Sequence, residues 1–277
     1  MNSGEWMESI QRQLTELTDK YRGLFGASSG SDLSVLGTLS FSAEFNGVLL
    51  EDEYAVEIAI PPGYPQILPI AKETGGRIPR DFHTYSDEIL CLGSPIETIM
   101  TFRKRETLIG FVEDLLIPFL YGFSYRERYG VMPYGELSHG INGILESYKG
   151  LFHVDDVLAV IAFLKILADD NYRGHIDCPC RSGLRLRNCH GDIMRELRNY
   201  LDPGEFLKES LTALHALKQN GQDIPLSLIP QTLIKRFRKY GKGNKLIFPN
   251  HFDSSSPIRH TDYSILYIAT FIFLLTS

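Results

Sequence analysis

Residues 54–69 read YAVEIAIPPGYPQILP, and this stretch contains a strand together with the turn that ends it. Its first seven residues place apolar side chains at every second position, which is the spacing of one face of a β-strand. The run 61–65 (PPGYP) cannot continue the strand, because proline lacks a backbone N–H and fixes its own φ. We expect a second, short strand at 67–71.

The preceding sequence predicts a partner strand and a helix. Residues 36–45 alternate loosely, and Asn46-Gly47 after them is a strong signal for a tight hairpin turn. Residues 48–50 resume the strand pattern, so we predict an antiparallel meander. Ser3 fits the N-cap of a helix before it, which residues 26–30 (GASSG) would end. One face of that helix is indicated by apolar residues three and four positions apart: Trp6, Ile10, Leu14, Leu17, Tyr21 and Leu24.

The sequence after the turn changes from irregular to helical. Residues 72–95 are irregular, and residues 108–120 are apolar enough for a buried helix that Pro118 ends or kinks. Residues 128–143 are rich in glycine and proline and predict a loop. Asp155-Asp156 then begin a helix over 157–167, since carboxylates suit the first turn. Three further helices are predicted at 193–201, 204–219 and 227–239.

These elements predict an α+β chain in three parts. Residues 1–150 contain the meander with flanking helices, residues 151–262 are mainly helical, and residues 263–277 form an apolar tail. A membrane span needs about 20 apolar residues, so this tail is short for one and we expect it to pack on the body. A weak tail anchor is the alternative.

The bulk composition is that of a soluble protein. Of 277 residues 43% are hydrophobic and 22% charged, and the net charge of −6 gives no general reason for nucleic-acid binding. We interpret the basic stretch 235–245 as a solvated helix face. Charges throughout residues 1–25 leave no apolar core for a secretory signal. We therefore expect a cytoplasmic protein without a membrane partner.

Three of the four cysteines fall in one short segment. Residues 177–191 read DCPCRSGLRLRNCHG, so the pattern is C-x-C, eight residues, then C-H. Three thiolates and one imidazole fill a tetrahedral zinc shell and leave no position for a reacting water. We therefore predict a structural zinc ion, whose binding stabilises a segment too small for its own core. The predicted ligands are Cys178, Cys180, Cys189 and His190. A chance cluster or a strained disulfide is the alternative.

This segment resembles the SEC-C zinc motif, whose members read C-x-C-x-S-G, a basic stretch, and then C-H or C-C and glycine. It departs from the motif at Arg181 and Leu184, neither of which is a ligand position. The resemblance implies a small module, attached to a larger domain, that faces a protein or a ribosome.

Cys91 is the one cysteine outside the zinc segment. The apolar neighbours Leu90 and Leu92 are typical of a small thiol buried in the core. A lone cysteine in an irregular segment can instead be a catalytic nucleophile. The sequence of this segment leaves both interpretations open.

Residues 1–125 resemble ubiquitin-conjugating enzymes of the UBC fold, and specifically a divergent bacterial branch. The resemblance depends on the order helix, meander, Tyr64-Pro65 with Pro69, then His83 eight residues before Leu90-Cys91-Leu92. His83-Thr84-Tyr85 stands where the family has His-Pro-Asn, so the family's asparagine is missing. The resemblance implies a UBC-like meander, an acyl-thioester on Cys91, an activating enzyme and a ubiquitin-like protein as partners, and a setting in antiphage defence.

The chemistry implied for Cys91 identifies further candidates. A thiolate accepts an acyl group from a thioester without a strong base, whereas the later attack by an amine benefits from a proton acceptor and from donors near the oxyanion. Asp87 and Glu88 are acidic neighbours that could accept that proton. His83 and His139 are candidates for ordering the loop or transferring a proton, and Tyr85 for a substitute donor.

Three functional hypotheses remain at this point. The first is the ubiquitin-conjugating-like transferase. The second is a non-catalytic module of the same fold that holds a protein tail near residues 83–140, with the zinc motif as an adaptor for a protein partner. The third is a thiol peptidase with Cys91 and His139 as a dyad.

Overall fold

The computed structural model of the protein describes residues 3–29, 32–134 and 141–234. The chain divides into two compact units, residues 1–139 and residues 140–277. The predicted boundary near residue 150 lies inside a helix, Ile141–Phe152. His139, the basic stretch 235–245 and the apolar tail lie outside the described residues.

The first unit is a helix followed by a four-stranded meander. Helix α1 (Ser3–Lys20) precedes strands β1 (Leu24–Ser29), β2 (Asp32–Phe45), β3 (Val48–Ile60) and β4 (Ile70–Glu73). Each strand pairs antiparallel with the next one along the chain, so the order in the sheet is β1-β2-β3-β4. The prediction of a mixed α+β chain is confirmed.

The turn between β2 and β3 forms where the sequence predicts it. Asn46 and Gly47 have φ of 50° and 80°, and Phe45 pairs with Val48 across them. Two consecutive positive φ values suit the right-handed twist of a hairpin, and glycine adopts them without steric cost. The turn fixes the register, so the apolar positions of β3 from Tyr54 to Ile60 all face the core.

The proline-rich turn is tied to α1 and to the later helices. Tyr64 is buried and its hydroxyl donates to Gln13 Oε1 at 2.6 Å, while the Trp6 indole N–H donates to the Tyr64 carbonyl at 2.7 Å. Gln13 Oε1 also accepts from the Leu108 N–H at 3.0 Å. One amide side chain therefore joins the turn to the start of the next long helix.

The helices after the sheet are α2 (Pro95–Phe102), α3 (Leu108–Phe111), a π-helical turn (Val112–Leu116) and α4 (Ile117–Tyr129). The segment Leu108–Tyr129 is continuous and, of the described helices, is the one long and apolar enough to cross a membrane. Two-thirds of its most apolar window is buried within the protein. Core packing accounts for its apolar character.

Two sequence predictions for this unit are wrong, and one helix has no counterpart among the predictions. Leu24, predicted to lie on the first helix, begins β1, where it pairs with Gly37 in the sheet. Helix α2 was not predicted, although Ser94 and Glu97 form a reciprocal cap at its start. Pro118 does not end the helix, so that alternative is wrong, while the predicted kink stays a prediction. The π-helical turn before it shifts the hydrogen bonding, so the Ile117 N–H donates to the Val112 carbonyl and proline is tolerated.

The second unit is helical. It contains α5 (Ile141–Phe152), α6 (Val157–Ala168), α7 (Gly191–Leu197) and α8 (Pro203–Gln219), with 3₁₀ turns at Leu186–Asn188 and Leu226–Leu228. Helix α6 packs against α8, and Asp156 caps α6 by accepting from the Leu158 N–H at 3.0 Å. Helix α5 was not predicted, and most of it lies beyond the loop expected at 128–143. The helix predicted at 227–239 begins as a 3₁₀ turn, and its residues 235–239 lie outside the described residues.

Candidate functional site

The backbone around Cys91 is fixed by the edge of the sheet. The Leu90 N–H donates to the Ala71 carbonyl of β4 at 2.8 Å, and Thr84 forms an isolated bridge with Leu90. The Cys91 N–H donates to the His83 carbonyl at 2.7 Å. The segment 83–91 is therefore a loop whose two ends are held together, with Cys91 at its end.

Two residues of this loop have a backbone conformation that L-amino acids rarely adopt. His83 has φ of 44° and Glu88 has φ of 66°. Such positions cost free energy and are concentrated in tight turns and functional loops. The Glu88 N–H closes a turn onto the Tyr85 carbonyl at 2.9 Å, and the Glu88 carboxylate pairs with Arg80. The turn directs Tyr85 back towards Cys91.

The thiol has a phenol as its neighbour. The Tyr85 phenol lies close enough to Cys91 to interact with it electrostatically, and the Cys91 Sγ lies 3.7 Å from the Gly93 carbonyl oxygen. Partial burial, the contact with Cys91 and the charge of Asp87 raise the pKa of Tyr85. The phenol therefore stays protonated at neutral pH and can donate to sulfur or to an oxyanion beside it.

Cys91 is partly buried in the wall of a cleft of about 200 Å³. The floor and walls come from the loop, from α2, and from the helical segment Leu108–Tyr129. The lining residues are Phe82, His83, Cys91, Leu92, Gly93, Glu97, Thr98, Thr101, Asp114, Leu115, Pro118, Phe119, Met132 and Tyr134. A partly buried thiol thus lies in an apolar cleft with two carboxylates among its lining groups.

Both carboxylates of the cleft are engaged. Asp114 accepts two hydrogen bonds from Arg105, at 2.7 and 3.0 Å. Glu97 accepts from the Ser94 hydroxyl at 2.9 Å. Each is held by a neighbour, so the cleft presents fixed acidic groups near the thiol.

The structure brings three predicted residues together and leaves one apart. Cys91 and His83 share the cleft, and the Tyr85 phenol lies near the thiol without lining the cleft. The His83 ring packs edge-on against Phe82, 4.9 Å between centroids. Asp87 is exposed and does not line the cleft, and its carboxylate accepts weakly from the Ile89 N–H at 3.5 Å. His139 lies outside the described residues.

Sequence reasoning did not identify Glu97, Asp114 or Tyr134. Glu97 had a readable signal, because Ser-Pro-x-Glu is typical of a helix start. Asp114 and Tyr134 carry no such signal. They reach the cleft through the packing of a helix and of the segment after it.

The second candidate site is the cysteine and histidine cluster of the second unit. The donor atoms of Cys178, Cys180, Cys189 and His190 all lie within 4.8 Å of one another. Cys178 and Cys189 each place Sγ 3.1 Å from His190 Nδ1, and Cys180 Sγ lies 3.5 Å from Cys189 Sγ. A tetrahedral ion with bonds of about 2.3 Å places its donors about 3.8 Å apart, so this group could hold a metal ion.

Neighbouring groups orient these donors. His190 Nε2 lies 2.7 Å from the Phe152 carbonyl oxygen, so the Nε2 proton is donated there and Nδ1 is left to face the cysteines. The Cys178 N–H donates to the Leu184 carbonyl at 2.9 Å, which closes the turn carrying the first two cysteines. Burial of Cys180 opposes ionisation, but hydrogen bonds from Ser182 lower the pKa of this thiol to about 6. A thiol that ionises readily is a ready metal ligand.

Comparison with known proteins gives no relative for this chain. No family model, no curated protein and no solved structure matches it. A functional assignment therefore depends on the residues and geometry of the two sites.

Proposed function

We propose that the first unit is a ubiquitin-conjugating-like acyl carrier and that Cys91 bears the thioester. The observation that supports this best is the position of the thiol: it lies in the wall of a cleft, at the end of a loop pinned to β4, with the Tyr85 phenol beside it. The sequential order of helix, meander, loop and long helix supports the same proposal.

The first step is an exchange of thioesters. The Cys91 thiolate attacks the thioester carbonyl of a protein C-terminus carried by an activating enzyme, and a new C–S bond forms. The tetrahedral intermediate collapses, the original C–S bond breaks, and the activating enzyme's thiolate leaves. A thiolate needs no strong base for this exchange.

The second step transfers the acyl group to an amine. The amine nitrogen attacks the thioester carbon, a C–N bond forms, and the Cys91 thiolate leaves. The nitrogen loses its proton to water or to His83, which lines the cleft. In this proposal the Tyr85 hydroxyl supplies the hydrogen bond for which the resembled family uses asparagine.

In the second unit we propose a structural zinc ion held by Cys178, Cys180, Cys189 and His190. Soft thiolates with one imidazole favour zinc among the common divalent metals, and a full shell leaves no catalytic position. The ion would stabilise the turn at 177–191, and that turn would present a surface to a protein partner. From the charged N-terminal sequence we propose a cytoplasmic location, and from the resemblance to the bacterial branch a setting in antiphage defence.

The test is intact-mass analysis of three forms of the protein. Wild type, Cys91→Ser and Cys91→Ala are each incubated with ATP, a ubiquitin-like protein and the matching activating enzyme. We expect a wild-type adduct that dithiothreitol removes, a Cys91→Ser adduct that survives dithiothreitol because it is an oxygen ester, and no adduct on Cys91→Ala. Equal adducts on wild type and Cys91→Ala would reject the proposal.

The second candidate is a non-catalytic module that holds a protein tail in the same cleft. The apolar lining from Phe82 to Tyr134 and the missing asparagine favour it. It predicts that a tail peptide binds wild type and Cys91→Ser equally and that neither forms an adduct. The peptidase hypothesis instead predicts cleavage that is lost in Cys91→Ala and in His139→Ala.

A further inference from the structure

The segment after α4 returns towards the Cys91 cleft. Helix α4 ends at Tyr129, and Gly130 with φ of 76° turns the chain. Residues 131–134, which we call the strap, follow this turn. Met132 and Tyr134 of the strap line the same cleft as Cys91 and His83.

Tyr134 is anchored at two points. Its hydroxyl donates to the Pro118 carbonyl of α4 at 2.5 Å. Its ring packs edge-on against Phe45, the last residue of β2, with 5.0 Å between centroids. The anchors therefore tie the strap to both the helix and the sheet.

The strap packs directly against Gly122 of α4. A methyl group at this position would lie 3.1 Å from the Tyr134 ring and 3.3 Å from the Met132 terminal carbon. These distances are tighter than ordinary contacts. The strap approaches α4 this closely because residue 122 has no side chain.

We propose that the strap sets the size of the group that can reach Cys91, with Tyr134 as the specificity-determining residue. The proposal deepens the acyl-carrier function, because the strap would decide how bulky a thioester or amine the cleft admits. Access of reagents to the Cys91 thiol can be measured without any acyl transfer.

The two contacts of Tyr134 would hold the strap across part of the cleft and still allow it to open. Tyr134 is 40% exposed, so it closes part of the cleft without being sealed in the core. Burial of the rest of the ring raises the pKa of Tyr134 to about 12, so the hydroxyl remains a donor to Pro118 at physiological pH. A hydrogen bond and an aromatic pair are each weak enough to break and re-form locally.

The test compares a small and a bulky thiol reagent on the full-length chain. Cys91 is labelled with iodoacetamide or with N-(1-pyrenyl)maleimide, and its labelling rate is read by mass spectrometry on the tryptic peptide 81–103, which contains no other cysteine. We expect Tyr134→Ala to raise the pyrenylmaleimide rate roughly tenfold and to leave the iodoacetamide rate within about twofold. Tyr134→Phe keeps the ring and should raise the bulky-reagent rate about fivefold, the factor equivalent to about 1 kcal/mol.

Two further variants serve as a control and as an independent test. Tyr129→Ala removes an aromatic ring that is 54% exposed and does not line the cleft, so both rates should match wild type. Gly122→Ala should shift the strap and raise the bulky-reagent rate with Tyr134 unchanged. An unchanged ratio of the two rates in Tyr134→Ala and Gly122→Ala, with wild-type circular dichroism, would overturn the proposal. Size selection without any thioester adduct would reject the carrier function and retain the filter.

Discussion

At the scale of single residues, Tyr85 is the residue that the acyl-carrier proposal depends on most after Cys91. The proposal gives the Tyr85 phenol, which lies near Cys91, the role that an asparagine amide has in the resembled family. Both groups can donate a hydrogen bond, and Tyr85 stands in a turn closed by the Glu88 N–H. The positive φ at His83 and Glu88 follows from this shape of the loop.

Glu209 is a buried carboxyl whose ionisation affects the stability of the second unit. Its side chain is buried between α8 and α5, where Oε2 accepts from the Tyr148 hydroxyl at 2.5 Å. Among the described residues, Oε1 has no hydrogen-bond partner. Burial, opposed by the Tyr148 hydrogen bond and aided by the charge of Glu205, raises the pKa of Glu209 from 4.5 to about 7. In the folded unit this carboxyl is therefore mainly neutral below pH about 7.

We predict that Glu209 makes the protein less stable as the pH rises from about 4.5 to about 7. In this window the folded state binds more protons than the unfolded state, so the free energy of unfolding falls, in total by about 3 kcal/mol. Glu209→Gln keeps the shape without a charge, so relative to wild type it should gain about that amount between the two ends of the window. Urea denaturation at a series of pH values measures the difference.

The control for this prediction is Glu196→Gln, which removes an exposed carboxylate of the same unit. Its difference from wild type should not vary across the window. Parallel pH profiles of wild type and Glu209→Gln would show that the buried carboxyl is already ionised in the folded state.

At the scale of elements, the helices of the second unit depend on their caps. Asp202 accepts from the Gly204 N–H at 2.6 Å and from the Glu205 N–H at 3.2 Å, and Pro203 occupies the first helical position. An N-cap carboxylate satisfies backbone donors that the helix itself cannot, and its charge suits the positive end of the helix dipole.

We predict that Asp202→Ala lowers the free energy of unfolding by about 1 kcal/mol, since it leaves these two N–H groups without their acceptor. Asp202→Asn retains a side-chain oxygen and should lose much less. Chemical denaturation followed by circular dichroism measures both. Equal losses in the two variants would assign the effect to the charge rather than to the cap.

The elements also explain which parts of the fold were readable in the sequence. The hairpin at Asn46-Gly47, strand β3 and helix α6 were predicted because each carries a local signal of turn chemistry or periodicity. Strand β1 was missed because Leu24 continues the spacing of α1, and only its pairing with Gly37 decides otherwise. The same limit applies to the site. The segment 83–91 is contiguous with Cys91 and was predicted, whereas Asp114 and Tyr134 are distant in sequence and join the cleft only through tertiary packing.

At the scale of the whole molecule, the two candidate sites lie in separate units. The thiol cleft is formed by residues 82–134 of the first unit, and the metal cluster by residues 178–190 of the second. The cluster involves three of the four cysteines, so Cys91 is the cysteine outside it.

We predict that the purified protein contains about one zinc ion per chain and that a strong chelator lowers its melting temperature. Structural zinc sites contribute on the order of 10 kcal/mol to folding of the segment that holds them. Elemental analysis with thermal denaturation measures both quantities. Cys180→Ser and Cys189→Ser should lose the metal, whereas Cys91→Ser should retain it as the matched control. Metal loss in all three variants would contradict the assigned ligands.

The order of the sheet has a consequence for the way the chain reaches its folded state. Because each strand from β1 to β4 pairs with its immediate neighbour along the chain, the sheet closes by a succession of short loops. Short loops lose little entropy on closing, and proteins with such local contacts fold quickly. The sheet of the first unit can therefore form on the ribosome as its strands emerge, before the cysteines of the second unit have been synthesised.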